Sequence, residues 1–249
     1  MCSSDLRWFL VKVLSKYYIV SYFGHFLTVS SPGNACDVDV NMFWDGDGIL
    51  WKLRLYCLDV DHFVQEEHYT CGVACTRMVL SYYGIDTSTY TDDYLWSYGI
   101  YLLYGTWYTH GTSGIPSYGR EMVAATVIHF LEGTDYEDAY SMDMLYISDN
   151  NQTIFDTVTE NNISCGYPVI AQIKISSSSF PFTYTTSGHF VVVSGIYTDA
   201  EGTVRVVICD PHYNTEPGIA SVYSVVDMPL NDFYPLATSI ADTLIRHTD

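Results

Sequence analysis

Two apolar segments on either side of a short turn dominate the C-terminal half of the sequence. Residues 189–197 and 203–209 are rich in valine and isoleucine and contain few charges. This pattern predicts a hairpin of two buried antiparallel strands. A hairpin centred on residue 200 pairs residues whose numbers sum to about 400, so His189 and Asp210 are expected side by side at its open end.

A helix with one apolar face precedes these strands. The segment CGVACTRMVLSYY at 71–83 places apolar side chains three and four residues apart, and Gly84 follows as a natural end. Thr70 stands where an N-cap residue is expected, which puts Cys71 at the N-terminus of the helix. The same periodicity places Cys75 on the buried stripe, as a small core residue.

The order of the elements indicates the fold class. Helical periodicity occurs at 71–83, 118–131 and 151–163. Strand patterns follow at 167–175, 189–197, 203–209 and 219–226. Helices that precede strands predict an α+β domain rather than alternating βαβ units.

Composition argues against several classes of partner. The chain has 10 Lys and Arg against 29 Asp and Glu, a net charge of −19. Nucleic acids and anionic membranes are therefore not expected as partners, because both require a basic surface. The acidic, tyrosine-rich composition favours an extracellular or cell-surface bacterial protein, with the cytoplasm as the alternative. The sequence does not determine the oligomeric state.

The N-terminal segment differs in character from the rest. Basic residues are followed by an apolar run at 17–29 and then by small residues, which is the order of a secretory signal. An ordinary buried strand or helix is the alternative, and residues 1–6 also resemble a translated sequencing adapter. The apolar run is too short to span a membrane. We therefore separate a segment at 1–60 from a domain at 61–249.

Cysteine chemistry is the strongest indication of function. Seven cysteines without a CxxC pair fit neither a zinc site nor a disulfide framework. A helix N-terminus lowers the pKa of a thiol, which makes Cys71 a candidate nucleophile. His189 would take the thiol proton, and Asp210 would fix the tautomer of the imidazole. Gln65 could donate its side-chain amide to an oxyanion, together with the backbone N–H of Cys71.

These residues also carry a resemblance to a known family. Gln65-x5-Cys71-Gly72, SGHFVVVSG at 187–195 and CDPH at 209–212 resemble the papain-like cysteine peptidases. Within them the sequence is most similar to the bacteriocin-processing, double-glycine-leader peptidase-like family, over residues 61–226. The resemblance implies a papain-like α+β fold, in which a helix bearing the nucleophile packs on an antiparallel sheet bearing His and Asp.

The resemblance also implies roles for individual residues. Cys71 becomes the nucleophile, His189 the general base and acid, Asp210 the residue that orients the imidazole, and Gln65 the oxyanion donor. The expected activity is that of a cysteine peptidase, which cleaves a peptide or amide bond through a thioester. A peptide or protein is the expected partner, and neither a cofactor nor a metal is required.

Three other interpretations stay open at this point. The same fold could serve as a catalytically silent peptide-binding domain. A second resemblance is to the guanylylate-cyclase-like domain family, although few cations are available to hold a triphosphate. It is carried by CGVACTRMVL at 71–80, GHFVVVSGI at 188–196 and DPHYNTEPG at 210–218. A metal site built from His189, Asp210 and His212 lacks a completing Cys or Glu cluster.

Overall fold

The computed structural model of the chain describes residues 7–13, 16–23, 26–30, 55–108, 119–137, 140, 145–146, 162–176, 182, 184–199, 202–212, 225–238 and 243–245. Its longer helices are α1 (Cys71–Tyr82), α2 (Asp92–Tyr104), α3 (Arg120–Leu131) and α4 (Leu230–Thr238). Its strands are β1 (Arg7–Val13), β2 (Lys16–Phe23), β3 (Phe26–Ser30), β4 (Leu55–Cys57), β5 (Leu145–Tyr146), β6 (Val169–Ile175), β7 (Thr186–Thr198), β8 (Val204–Cys209), β9 (Val225–Pro229) and β10 (Thr243–Ile245).

An antiparallel sheet forms the centre of the fold. Its strands follow the order β5-β10-β6-β7-β8-β9, and β4 pairs with β7. Because α1, α2 and α3 precede the long strands β6 to β9, the predicted α+β class is confirmed. The arrangement is consistent with the papain-like fold that the sequence resembles.

Helices cover both faces of this sheet, which explains the continuous apolar runs of its strands. On β6, Ala171 belongs to an apolar cluster with Phe233 of α4. Its neighbour Ile170 belongs to a second cluster, which contains Met78 of α1 and Val127 of α3. Successive side chains of a strand point to opposite faces, so a strand between two helical layers is apolar at every position.

Helix α1 begins at Cys71, as the sequence predicts. Cys75, Met78 and Val79 are completely buried, so the predicted apolar face is confirmed. Thr70 occupies the N-cap position, but its hydroxyl makes no capping hydrogen bond to the helix. The predicted N-cap position is therefore confirmed, and the hydroxyl is instead hydrogen bonded to a buried carboxylate on α2, as described below.

Two helices were not predicted from the sequence. Helix α2 has local signals that periodicity alone does not use: the Thr91 hydroxyl accepts the N–H of Tyr94 at 3.2 Å, and Gly105 ends the helix with a φ of 68°. Helix α4 contains Pro235, a residue that usually marks the end of a helix.

The other predicted elements have mixed outcomes. The helix predicted at 118–131 is present as α3. Most of the helix predicted at 151–163 lies outside the described residues, and its last two residues, 162 and 163, are helical. The strand predicted at 219–226 overlaps β9 only at 225–226, and its earlier part lies outside the described residues.

The β7–β8 hairpin forms with a shifted register. Val192 pairs with Cys209 and Tyr197 with Arg205, one or two residues beyond the partners that a centre at residue 200 predicts. The register changes between Val193 and Gly195, where a β-bulge inserts a residue into β7. The shift leaves His189 and Asp210 at the same end of the hairpin.

The N-terminal strands form a separate sheet, in the order β1-β2-β3 with antiparallel pairing. Nothing in this arrangement tests the secretory-signal interpretation or the division at residue 60, which stay predictions. No helix in the described parts of the chain combines the length and apolar character that a bilayer span requires.

Candidate active site

Cys71 is the first residue of α1 and is half-buried. Its thiol is hydrogen bonded to the side chain of His189 and lies against the backbone N–H groups of Phe190 and Gly72. Burial disfavours the thiolate, but the charge of His189 and these hydrogen bonds outweigh that cost and lower the pKa of Cys71 below its ordinary value. A thiolate is therefore favoured at this position.

His189 lies near the start of β7 and is almost completely buried. Its Nε2 donates to Oδ1 of Asp210 at 2.8 Å, which leaves Nδ1 for the thiol of Cys71. Burial disfavours the imidazolium, but the negative charges of Cys71 and Asp210 outweigh it and raise the pKa of His189 to about 10. The arrangement thus favours a thiolate–imidazolium pair.

Asp210 follows the last residue of β8 and uses both oxygens of its carboxylate. Oδ1 accepts Nε2–H of His189 and the backbone N–H of His212, the latter at 2.9 Å. Oδ2 accepts the hydroxyl of Tyr184 at 2.7 Å. Burial disfavours the charged form, but these donors outweigh it and lower the pKa of Asp210 below its ordinary value.

Tyr184 and His212 form an aromatic layer over the His189–Asp210 pair, and no local sequence pattern indicates this layer. Their rings stack with centroids 3.7 Å apart and planes 8° apart, and the Tyr184 ring meets His189 edge-on at 5.4 Å. His212 therefore contributes a backbone donor and a stacking surface. The described residues contain no group of three or more His, Cys, Asp or Glu side chains arranged to hold a metal ion.

Gln65 is buried next to the strand end that carries Asp210. Its backbone N–H donates to the carbonyl oxygen of Pro211 at 2.8 Å. The side-chain Nε2 donates to the carbonyl oxygen of Glu67 at 2.7 Å, and among the described residues the buried Oε1 has no hydrogen-bond partner. No hydrogen bond joins the Gln65 side chain to Cys71, His189 or Asp210.

A second anchor holds the segment before α1 against the same strand end. Nε2 of His62 donates to the carbonyl oxygen of Asp210 at 2.7 Å. Together with the Gln65–Pro211 hydrogen bond, this contact ties the chain before Cys71 to the residues after β8. The sequence offered no signal for His62, because the partner is a backbone atom distant in sequence.

A comparison with known families identifies the chain. A family model described as the Peptidase_C39 like family matches residues 57–234, which include Gln65, Cys71, His189 and Asp210. The chain belongs to this family. The match supports a papain-like cysteine peptidase and the activity that the family name describes.

The match to the Peptidase_C39 like family supports neither of the two more specific resemblances. It gives no support to the bacteriocin-processing group in particular, nor to the guanylylate-cyclase-like domain family. No curated protein matches the chain.

The cysteines of this Peptidase_C39-like chain differ in chemical environment. No disulfide joins any of the five that the structure describes. Cys75 lies one turn after Cys71 and is completely buried, and burial raises the pKa of its thiol well above the ordinary value. The thiolate is therefore favoured at Cys71 and disfavoured at Cys75, although both residues lie on α1.

Proposed function

We propose that this protein is a cysteine peptidase that hydrolyses a peptide or amide bond, with Cys71 as nucleophile. The observation that carries the proposal is a continuous chain of hydrogen bonds, from the thiol of Cys71 through the imidazole of His189 to the carboxylate of Asp210. It supports a mechanism in which a thiol of lowered pKa works with His189 as general acid and base, and in which a carboxylate orients the imidazole.

The first half of the reaction is acylation. The Cys71 thiolate attacks the carbonyl carbon, a C–S bond forms, and the carbonyl electron pair moves onto oxygen. A side-chain amide N–H of Gln65 and the backbone N–H of Cys71 stabilise this oxyanion. When the oxyanion collapses, the C–N bond breaks, and His189 gives its proton to the leaving amine.

The second half is hydrolysis of the thioester. His189, now neutral, takes a proton from a water molecule that attacks the thioester carbonyl. Collapse of the second oxyanion breaks the C–S bond and releases the carboxylic acid, and the thiolate–imidazolium pair is restored. Asp210 keeps its charge throughout and holds Nε2–H of His189 in place, so Nδ1 faces the reacting atoms.

The charge of the protein favours a class of substrate. With a net charge of −19, the chain attracts basic peptides and repels acidic ones, so neutral or basic substrates are favoured over acidic ones. The proposed chemistry needs no cofactor or metal, since the thiolate is generated by the ion pair alone.

The proposal is tested by alkylation with iodoacetamide between pH 4 and 9, with the label located by peptide mapping. Wild-type protein is compared with Cys71→Ala and His189→Ala, and a peptide library is then screened for cleavage. We expect one fast-reacting thiol at pH 5 to 6 that is absent in Cys71→Ala and slowed in His189→Ala.

A different labelling result would contradict the proposal. If Cys71 reacts only near an ordinary thiol pKa of about 8.5, and His189→Ala does not change its profile, the protein has no activated nucleophile. An activated thiol without cleavage of any library member would instead leave the narrower claim of peptide hydrolysis unsupported and would favour a peptide-binding domain.

A further inference from the structure

One carboxylate oxygen joins the two ends of the turn between Gln65 and Cys71. Asp92, the first residue of α2, is completely buried. Its Oδ2 accepts the backbone N–H of Glu66 at 2.9 Å and the hydroxyl of Thr70 at 2.7 Å. Glu66 follows Gln65 and Thr70 precedes Cys71, so the same atom holds the neighbours of both proposed oxyanion donors.

The other atoms of Asp92 are also engaged. Oδ1 accepts Nη1 of Arg77, a largely buried residue of α1, at 3.0 Å. The backbone N–H of Asp92 donates to Oε2 of Glu66 at 3.1 Å. Moving the carboxylate would leave buried donors without partners, which is costly, so its position is strongly determined.

We propose that Asp92 is a positioning residue that sets the separation between the Gln65 side-chain amide and the backbone N–H of Cys71. The inference rests on the proposed function, because it assigns both donors to the oxyanion. Such donors must lie about 2.7–3.1 Å from the developing charge, and tolerances of about 0.5 Å matter in functional sites. Asp92 makes no hydrogen bond to Cys71 or His189, so it acts on the oxyanion and not on the thiolate.

The test compares two reactions of Cys71 that differ in one respect. Acylation by p-nitrophenyl acetate passes through an oxyanion: the C–S bond forms, the carbonyl electron pair moves onto oxygen, and the ester C–O bond then breaks to release p-nitrophenolate. Alkylation by iodoacetamide forms a C–S bond and releases iodide without an oxyanion. Both rates are measured at Cys71 by peptide mapping, and their ratio reports on oxyanion stabilisation alone.

Asp92→Asn is the main variant, because it keeps the shape of the side chain and removes its charge. We expect acylation to fall about tenfold or more relative to alkylation, less than the 10²–10³-fold effect of deleting a donor. Glu121→Gln is the matched control, since Glu121 is also a first-turn carboxylate but pairs with Arg120 on α3. The control should leave the ratio unchanged.

The proposal is overturned if folded Asp92→Asn has the same ratio of acylation to alkylation as the wild type. This includes the case in which both rates fall by the same factor. If circular dichroism shows that Asp92→Asn does not fold, Thr70→Val is tested instead, because it deletes the hydroxyl that donates to Oδ2 of Asp92. We expect the same ratio to fall in Thr70→Val, and an unchanged ratio there would overturn the proposal. Failure of the proposed function looks different: wild-type Cys71 itself would then show neither acylation nor fast alkylation.

Discussion

Nε2 of His189 lies 2.8 Å from Oδ1 of Asp210, and both residues are only 4% exposed. At this depth neither charge has water as an alternative partner, so each residue depends on the other for compensation. The pair also fixes which nitrogen of the imidazole faces Cys71.

We predict a bell-shaped pH profile for peptide hydrolysis. The rate rises as Cys71 loses its proton, below the pKa of an ordinary thiol, and falls as His189 loses its proton near pH 10. Asp210→Asn keeps a hydrogen-bond acceptor but removes a negative charge that raises the pKa of His189. The alkaline limb should therefore move to lower pH, and an unmoved limb would contradict the assignment of His189 as the acid.

Tyr184→Phe should destabilise the protein by about 1–3 kcal/mol, because it leaves Oδ2 of buried Asp210 without its donor. The hydroxyl helps to lower the pKa of Asp210, so its contribution is fully present above the unfolded pKa of about 3.9 and is lost as pH falls through the lower folded pKa. Urea unfolding of both proteins at pH 7 and below pH 4 measures this difference.

Tyr197→Phe is the matched control for this substitution. The Tyr197 hydroxyl also donates to a carboxylate, that of Asp227 at 2.6 Å, but this contact is exposed to solvent. Its removal should cost less than about 1 kcal/mol. Equal losses of unfolding free energy in the two variants would show that burial of Asp210 does not strengthen the effect of losing its donor.

Gln65→Ala should separate oxyanion stabilisation from thiolate formation. We expect acylation of Cys71 by p-nitrophenyl acetate to fall about 10²–10³-fold, with alkylation by iodoacetamide nearly unchanged. The reason is that Gln65 makes no hydrogen bond to the Cys71–His189 pair, so the pKa of the thiol does not depend on it. Parallel loss of both reactions would instead indicate a role in folding or in the ion pair.

Substitution of Cys75 should affect stability and not reactivity. Cys75→Ala is expected to cost about 1 kcal/mol, and Cys75→Ser more, because it places a hydroxyl among apolar side chains. Neither should change the pH profile of Cys71 alkylation. Cys165→Ser is the control, because Cys165 is exposed and its replacement should change the unfolding free energy by less than about 0.5 kcal/mol.

Parts of the site could be anticipated because they depend on short-range patterns. The apolar period of three and four residues predicted a helix, the N-cap residue Thr70 placed its start at Cys71, and the structure has the helix there. The short turn of the β7–β8 hairpin limits the register to within one or two residues. The contact between His189 and Asp210 could therefore be predicted from the sequence. The catalytic roles of these residues stay predictions.

Other parts could not be anticipated, because their partners are distant in sequence. Tyr184 looks like an ordinary loop residue until the fold brings its hydroxyl to Asp210. Thr70 has the signature of a helix cap, and only the position of α2 shows that its hydroxyl goes to Asp92 instead. A local pattern describes which hydrogen bonds a side chain can make, but not which of several partners it reaches.

The sequence by itself determined the α+β class, the helix that begins at Cys71 and the hairpin end where His189 and Asp210 meet. These follow from periodicity and turn length, which act over a few residues. Only the tertiary structure decided how the site is supported: by Tyr184 and His212 over Asp210, and by Asp92 across the turn that leads to Cys71. Burial makes each unpaired charge or donor costly, so long-range packing decides which partners these groups have.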